Sequence, residues 1–193
     1  AGAGLIFLEY SYVHLSGRSE KNQLGVSSDL HVEGLSELAD IIKSSNAIAG
    51  IQLTHAGGKS SHEMTHGQLM GPSNVAVPVK GDSLEKPSAM TLEQISEWIE
   101  SFVLAAKRAA KAGFQVVELH SAHGYGLNQW LSPITNKRED EFGGSLNNRL
   151  RLITLIIEKI KLENPELLIS VRIPGQDHLE GGLSLEDGIK VAQ

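Results

Sequence analysis

The sequence predicts an α/β fold in which parallel strands alternate with crossover helices. Four short apolar runs rich in branched residues recur along its 193 residues, with helical patterns between them. Continuous rather than alternating hydrophobicity is typical of strands buried on both faces. Regular alternation of strand and helix indicates right-handed βαβ units, in either an open doubly wound sheet or a (β/α)₈ barrel.

The predicted strands are bounded by Gly, Pro or polar residues. In both candidate architectures, ligands bind at the carboxyl ends of the strands. The segments that follow the apolar runs are therefore where we expect a functional site. The strands are predicted over Leu5 to Leu8, Ile48 to Leu53, Phe114 to Leu119 and Leu167 to Ile173.

The helices between these strands carry apolar stripes at helical spacing. The clearest stripe runs from Ile95 to Ala106, follows a capping box of Thr91 and Gln94, and is ended by Gly113. The other helices are predicted over 35–42, over 146–160 and from 184 onward. The segment from His55 to Met90 is too long for a simple connection, and its Gly, Pro, His and Ser content predicts a lid or short hairpin over the site.

Composition excludes several classes of protein. A hydrophobic content of 40% is ordinary for a packed domain, and a net charge of −6 makes nucleic acid an unlikely partner. The absence of cysteine excludes disulfide scaffolds, thiolate metal sites and cysteine nucleophiles. No apolar stretch reaches the ~18 residues of a membrane span, and no basic segment with a signal core opens the chain. We therefore expect a cytoplasmic, soluble protein.

Polar residues gather at the predicted strand ends and predict one convergent site. Gln52 lies in an apolar strand, where an unpaired amide is costly, so it needs a partner. Its side-by-side donor and acceptor match the imide edge of a flavin or pyrimidine ring, although neighbouring backbone is an equal alternative. Arg172 either pairs with Glu118 or Asp177, or stabilises negative charge on a bound ring or anion.

Two histidines and a tyrosine follow the third strand. His120 and His123 could donate hydrogen bonds to one carbonyl or phenolate oxygen, or they could bind a metal. Tyr125 could deliver a proton to a carbanion or enolate in the same pocket, or it could form part of the pocket wall. A metal-dependent hydrolase that uses His55, His120 and His123 as ligands is therefore an alternative function.

The remaining polar clusters predict structural roles. The charged and amide residues around Gly143 and Gly144 predict a turn held by ion pairs and hydrogen bonds. The other histidines are expected on the surface or in loops; they are His14, His31, His62, His66 and His178.

Four segments carry a resemblance to a known family. They are GLIFLE near the start, IQLTHAGGKS at 51–60, GFQVVELHSAHGYGLNQWLSPITNKREDEFGGSLNNR at 113–149 and SVRI at 170–173. With these motifs the chain resembles the old yellow enzyme family of FMN-dependent ene-reductases and NADH:flavin oxidoreductases. The pairing of two histidines is similar to the bacterial branch of that family.

The resemblance implies a fold and a set of roles. It implies that residues 1–193 are part of one FMN-binding TIM-barrel domain, a partial (β/α)₈ barrel of about four βα units that corresponds to barrel strands two to five. Gln52 then resembles the residue that holds the flavin pyrimidine edge, and Arg172 the one that neutralises charge on reduced flavin. Tyr10 stands where the family has a small residue beside the flavin. It completes the expected cofactor-binding set, or in a non-catalytic relative it blocks the flavin seat.

The resemblance also implies a reaction. His120 and His123 look like the pair that binds the substrate carbonyl oxygen, and Tyr125 looks like the proton donor. The expected cofactors are FMN, with NADH or NADPH as reductant. The expected substrate is a small activated alkene, and a homo-oligomer is possible in such a family.

Overall fold

The computed structural model describes residues 2–79 and 84–193. Within them the main sheet consists of four parallel strands in the order β1-β2-β5-β6, and β3 and β4 form a separate parallel pair. The strands are β1 (Leu5–Tyr12), β2 (Ile48–Thr54), β3 (Met70–Gly71), β4 (Ser88–Ala89), β5 (Val116–His120) and β6 (Leu168–Arg172). The helices are α1 (Val32–Ser44), α2 (Leu92–Lys111), α3 (Gly126–Leu131), α4 (Leu146–Glu163) and α5 (Leu185–Val191).

The core lies between the main sheet and its helices. Ile51 and Leu53 of β2 and Leu119 of β5 are fully buried, and they pack in one cluster with Phe102 of α2 and Ile156 of α4. Because side chains alternate along a strand, the residues between these positions point to the opposite face of the sheet. That inner face carries the polar residues of the candidate site.

The first strand is longer than predicted and is bulged. The predicted end at Leu8 is wrong, because the strand continues to Tyr12 after a shift of register. Leu8 pairs with Ile51 and Ser11 pairs with Leu53, so one extra residue lies in β1 between the two pairs. A bulge of this kind redirects side chains. Tyr10 therefore lies within the strand, in the bulge, rather than after it.

The structure differs from the sequence prediction at two further points. The segment after β2 holds no hairpin in its described part, because β3 and β4 pair in parallel, through Ser88 N to Leu69 O and Met90 N to Gly71 O. Helix α3 was not predicted, since it is only 6 residues long and buried on every side. In the two ranges that the structure describes, no helix is long and apolar enough to cross a membrane.

The predicted capping box of α2 is confirmed and gives a test of stability. Thr91 Oγ1 accepts a hydrogen bond from Gln94 N at 3.2 Å, and Gln94 Oε1 accepts one from Thr91 N at 2.9 Å. We expect Thr91→Ala to lower the free energy of unfolding by about 1 kcal/mol, because these end groups lose a partner. Urea denaturation measures the change. Thr154→Ala, at an exposed position within α4, is the matched control, and an equal loss in both variants would contradict the assignment.

Candidate active site

A hydrogen-bonded polar row crosses the inner face of the main sheet. Gln52, Glu118 and Ser170 occupy paired positions on β2, β5 and β6. Gln52 Nε2 donates to Glu118 Oε1 at 2.6 Å, and Ser170 Oγ donates to Glu118 Oε2 at 3.3 Å. The structural partner of Gln52 is thus the carboxylate of Glu118 rather than neighbouring backbone, which was the alternative that the sequence left open. Within the described ranges its amide oxygen accepts no hydrogen bond and stays available.

Arg172 lies beside His120. These two residues are nearer the carboxyl ends of their strands than the polar row of Gln52, Glu118 and Ser170. Its predicted carboxylate partners are engaged elsewhere: Glu118 in the polar row, and Asp177 with Ser132 Oγ at 2.5 Å and Leu183 N at 2.8 Å. None of the ion pairs between described residues includes Arg172. The alternative of an ion pair with Glu118 or Asp177 is therefore not borne out among the described residues, and the exposed guanidinium adds positive charge to this end of the sheet.

The structure brings His120, His123 and Tyr125 together, as the sequence predicts. His123 Nδ1 lies 3.4 Å from His120 Nε2, and the centroid of the Tyr125 ring lies 5.2 Å from that of His120. The chain turns back sharply after β5 because His123 and Gly124 both adopt left-handed backbone conformations, with φ of 60° and 74°. This turn places the phenol next to the imidazole pair.

Both imidazoles are neutral at physiological pH. Burial lowers the pKa of His120 to about 4, and repulsion from a protonated His123, from Arg172 and from Lys59 acts in the same direction. Burial also lowers the pKa of His123, again assisted by Arg172 and Lys59. His120 Nδ1 is buried without a hydrogen-bond partner in the described chain. The pair therefore keeps hydrogen-bonding capacity without carrying a charge.

Tyr10 reaches the same cluster from β1. Its ring stacks on that of Tyr125, with centroids 5.4 Å apart and an interplanar angle of 29°. Its hydroxyl donates to Glu20 Oε1. Burial raises the pKa of Tyr10, and the hydrogen bond to Glu20 adds to the increase. The bulge in β1 thus places a second phenol, held neutral, against the first.

Three residues that sequence reasoning missed hold the turn after β5. Lys59 Nζ donates to His123 O at 2.7 Å, and Asn128 Oδ1 accepts from Gly124 N at 2.7 Å. Gln129 Nε2 donates both to Gly124 O at 2.8 Å and to Ala56 O at 2.9 Å. The one sequence signal was a pair of amides between apolar residues in GLNQWL.

His55 does not join the other two histidines. Its Nδ1 accepts from Gly57 N at 3.0 Å, and its Nε2 lies 3.1 Å from Ser16 Oγ. The ring packs edge-on against Trp98, and burial lowers its pKa well below the usual value. Because both ring nitrogens are engaged, the proposed ligand set of the metal-dependent hydrolase is wrong. The described residues contain no group of three or more metal-binding side chains.

The loop around Gly143 is held as predicted. Arg138 pairs with Asp140 at 2.5 Å and also donates to Met90 O at 2.7 Å. Asn136 Nδ2 donates to Trp130 O and Phe142 O, both at 2.8 Å. These contacts fix the turn that precedes α4.

The remaining histidines lie on the surface or are partly buried. His14, His62, His66 and His178 are exposed, and His31 is half-buried.

A cleft of about 490 Å³ opens beside the cluster. It lies between the turn after β5, the segment after β6 and residues 77–79 of the long segment after β2. Lys59, His123 and Arg172 contribute its polar wall, together with Asp177 and Gln176. Such a volume is ordinary for a small-molecule site.

The residues at the strand ends fit an FMN ring. A flavin pyrimidine edge combines N–H and carbonyl groups, and Gln52 keeps an available amide oxygen and a second N–H for it. Arg172 supplies a cation beside His120, at the carboxyl end of β6. The unpartnered Nδ1 of His120 is a further group with capacity for a ligand.

The parallel sheet, its crossover helices and the polar cluster at the carboxyl ends of its strands define an α/β protein with a candidate site at one edge of the sheet. The chain belongs to the NADH:flavin oxidoreductase / NADH oxidase family, whose model matches residues 1–193. This assignment confirms the family that the sequence motifs resemble.

Individual relatives agree with the family. The chain is 45% identical over 192 residues to an NADPH dehydrogenase of Halalkalibacterium halodurans, covering 98% of this chain and 54% of the relative. It is 43% identical to an NADPH dehydrogenase of Listeria monocytogenes, covering 100% of this chain and 55% of the relative. The chain thus spans just over half the length of these relatives.

Solved structures confirm the fold. A 2-naphthoyl-CoA reductase is 31% identical and superposes with a TM-score of 0.92, covering 99% of this chain and 31% of its own. An old yellow enzyme homologue of Zymomonas mobilis is 26% identical, with a TM-score of 0.87, covering 97% of this chain and 54% of its own. The predicted partial (β/α)₈ barrel is therefore confirmed.

Proposed function

We propose that this chain supplies the substrate-reducing part of an FMN-dependent NAD(P)H oxidoreductase that acts on activated alkenes. The observation that carries the proposal is the cluster of His120, His123 and Tyr125: a neutral imidazole pair and a phenol at the carboxyl ends of a parallel sheet. The NADPH dehydrogenase relatives support NADPH as reductant, with NADH as the alternative. Cytoplasmic location and a homo-oligomeric state stay predictions from the sequence.

Gln52, Arg172 and Tyr10 are the residues that we assign to the cofactor. Gln52 would bind the pyrimidine edge through its amide, and Arg172 would balance negative charge there. Tyr10 would lie beside the ring at the bulge of β1. When bound, FMN supplies the hydride that an activated alkene accepts.

His120 and His123 bind the oxygen of the substrate's activating group. When each imidazole directs one N–H at a carbonyl or nitro oxygen, the two hydrogen bonds stabilise the negative charge that develops on that oxygen. Because both rings are neutral, they donate without protonating the oxygen. The electron-poor alkene is thereby oriented and activated.

Tyr125 supplies the proton that completes the reduction. Its hydroxyl proton is transferred to the α-carbon of the alkene and leaves a phenolate, and the ring is already held by His120 on one side and Tyr10 on another. A phenol suits this step because it stays protonated at neutral pH until a carbanion or enolate accepts the proton. The proposed division of labour is thus activation by the histidines and protonation by Tyr125.

Binding of a phenol ligand tests the assigned histidines. In a closed-barrel protein that carries this chain, we expect His120→Ala and His123→Ala each to weaken phenolate binding by about 1–3 kcal/mol, because one hydrogen bond to a charged oxygen is lost. Titration followed by flavin absorbance measures the affinity, and reoxidation of the reduced flavin by an enone measures the function.

His62→Ala is the matched control, because this exposed histidine bonds Glu85 and none of the cluster residues. Unchanged phenolate affinity in both cluster variants would contradict the assignment. Failure of the intact protein to bind FMN would instead favour the non-catalytic alternative.

A further inference from the structure

Lys59 connects the long segment after β2 to the turn after β5. Its ammonium group donates to the carbonyl of His123 at 2.7 Å, across 64 residues of sequence. The same nitrogen lies 4.6 Å from the centroid of the Tyr125 ring, within range of a cation–π interaction. One side chain thus contacts two members of the candidate cluster.

The group that Lys59 holds is in a conformation that needs support. His123 has a φ of 60°, which costs energy in a residue with a side chain. Asn128 and Gln129 fix Gly124, the next residue, through its N–H and its carbonyl. The carbonyl of His123 receives its hydrogen bond from Lys59. The three contacts together determine where the His123 and Tyr125 side chains point.

The charge of Lys59 is retained near the cluster rather than neutralised. Lys59 is half-buried, and no ion pair between described residues includes it. The other ionisable groups around His123 are His120 on β5, Tyr125 in the same turn, Arg172 on β6, Asp177 in the segment after β6, and Tyr10 on β1. Asp177 bonds to Ser132 and Leu183 N, and the charges that lower the pKa of His123 are those of Arg172 and Lys59.

We propose that Lys59 is a positioning residue for the His120, His123 and Tyr125 cluster. It holds the strained carbonyl of His123 and the face of the Tyr125 ring, and its positive charge adds to the effect of burial on the two imidazoles. The effect on turnover rests on the proposed function, whereas the effect on the histidines does not.

The test is the titration of the histidines in Lys59 variants of a closed-barrel protein that carries this chain, followed by NMR. We expect Lys59→Met to raise the pKa of both His120 and His123, because removal of a nearby cation favours the imidazolium form. Lys59→Arg should keep the low pKa values. Lys59→Gln keeps a hydrogen-bond donor without the charge, so it should also raise them.

Turnover gives the second readout. We expect Lys59→Met to slow the alkene step by about 10-fold, the scale of one lost charge-assisted hydrogen bond, and Lys59→Arg to restore most of the rate. Lys137→Met is the matched control: Lys137 also donates to a main-chain carbonyl, that of Pro133 at 2.6 Å, but contacts no cluster residue.

The histidine titrations and the turnover measurements on the Lys59 variants distinguish three outcomes. Unchanged histidine pKa values in folded Lys59→Met protein would overturn the proposal. A rise in KM confined to anionic alkenes, with kcat unchanged, would also overturn it and make Lys59 a binder of substrate anions. Raised pKa values in a protein that reduces no alkene would support the positioning role and contradict the proposed function.

Discussion

Tyr125→Phe is expected to slow protonation of the reduced substrate by about 10²- to 10⁴-fold, the usual contribution of one positioned general acid. The substitution removes only the hydroxyl, and the ring can still stack on Tyr10 and His120. Flavin reduction by NADPH should stay close to that of the unchanged protein, because no proton from Tyr125 enters that step. The loss should therefore appear in one half-reaction alone.

Stopped-flow measurement of the two half-reactions separates these effects. Reduction of the flavin is followed without alkene, and reoxidation is followed by mixing the reduced protein with an enone under anaerobic conditions. Tyr12→Phe is the matched control, since the buried Tyr12 packs against His31 and Arg18 away from the cluster. Equal reoxidation rates in the unchanged protein and Tyr125→Phe would show that another group donates the proton.

The location of the site was predictable because topology alone brings strand ends together. The stretches of sequence around Ile51 and Leu119 are continuously apolar, and such stretches are typical of strands that are buried on both faces. Parallel strands joined by right-handed crossovers place their carboxyl ends at one edge. His120 and Arg172 both lie at the carboxyl ends of their strands, so pairing of β5 with β6 brought them to the same edge of the sheet, whatever the intervening loops did.

The contacts that tune the site were not predictable, because they join residues far apart in sequence. Lys59 reaches His123 from a loop, and Gln129 reaches Gly58 from the short helix α3; neither segment shows a periodic pattern in its sequence. The bulge that redirects Tyr10 depends on pairing with β2, since β1 alone reads as an ordinary strand. Helix α3 is too short to show a helical period, and its burial removes the polar face that would reveal one.

Glu118 shows that the sequence can also suggest a contact that the structure does not form. A carboxylate and an arginine on two of the predicted strands suggest an ion pair, but strand pairing sets Glu118 opposite Gln52 and Ser170 instead. The carboxylate of Glu118 therefore accepts hydrogen bonds within the polar row, and Arg172 remains available at the strand ends. Residue types predicted which groups were present, and the register of the sheet decided which of them met.

The 193-residue chain on its own is expected to bind FMN weakly or not at all and to show no alkene reduction. Gln52 and Arg172 can still meet a ring edge, but (β/α)₈ barrels hold the phosphate at loops after strands seven and eight and at a short helix N-terminus. The four strands of the main sheet cannot close an eight-stranded barrel. Without the charge-assisted contacts to phosphate, the most directional part of the affinity is lost.

The same geometry predicts self-association of the chain alone. β1 and β6 are edge strands of the main sheet, and Leu5 and Leu168 at these edges are 44% and 60% exposed. Unpaired parallel edges and uncovered apolar side chains favour contact with another chain. Sedimentation combined with flavin absorbance measures both properties in one experiment. Tight, stoichiometric binding of FMN to a purified monomer of this length would contradict the prediction and would mean that four βα units form a complete site. Binding of FMN only to a dimer would mean that a second copy supplies the missing contacts.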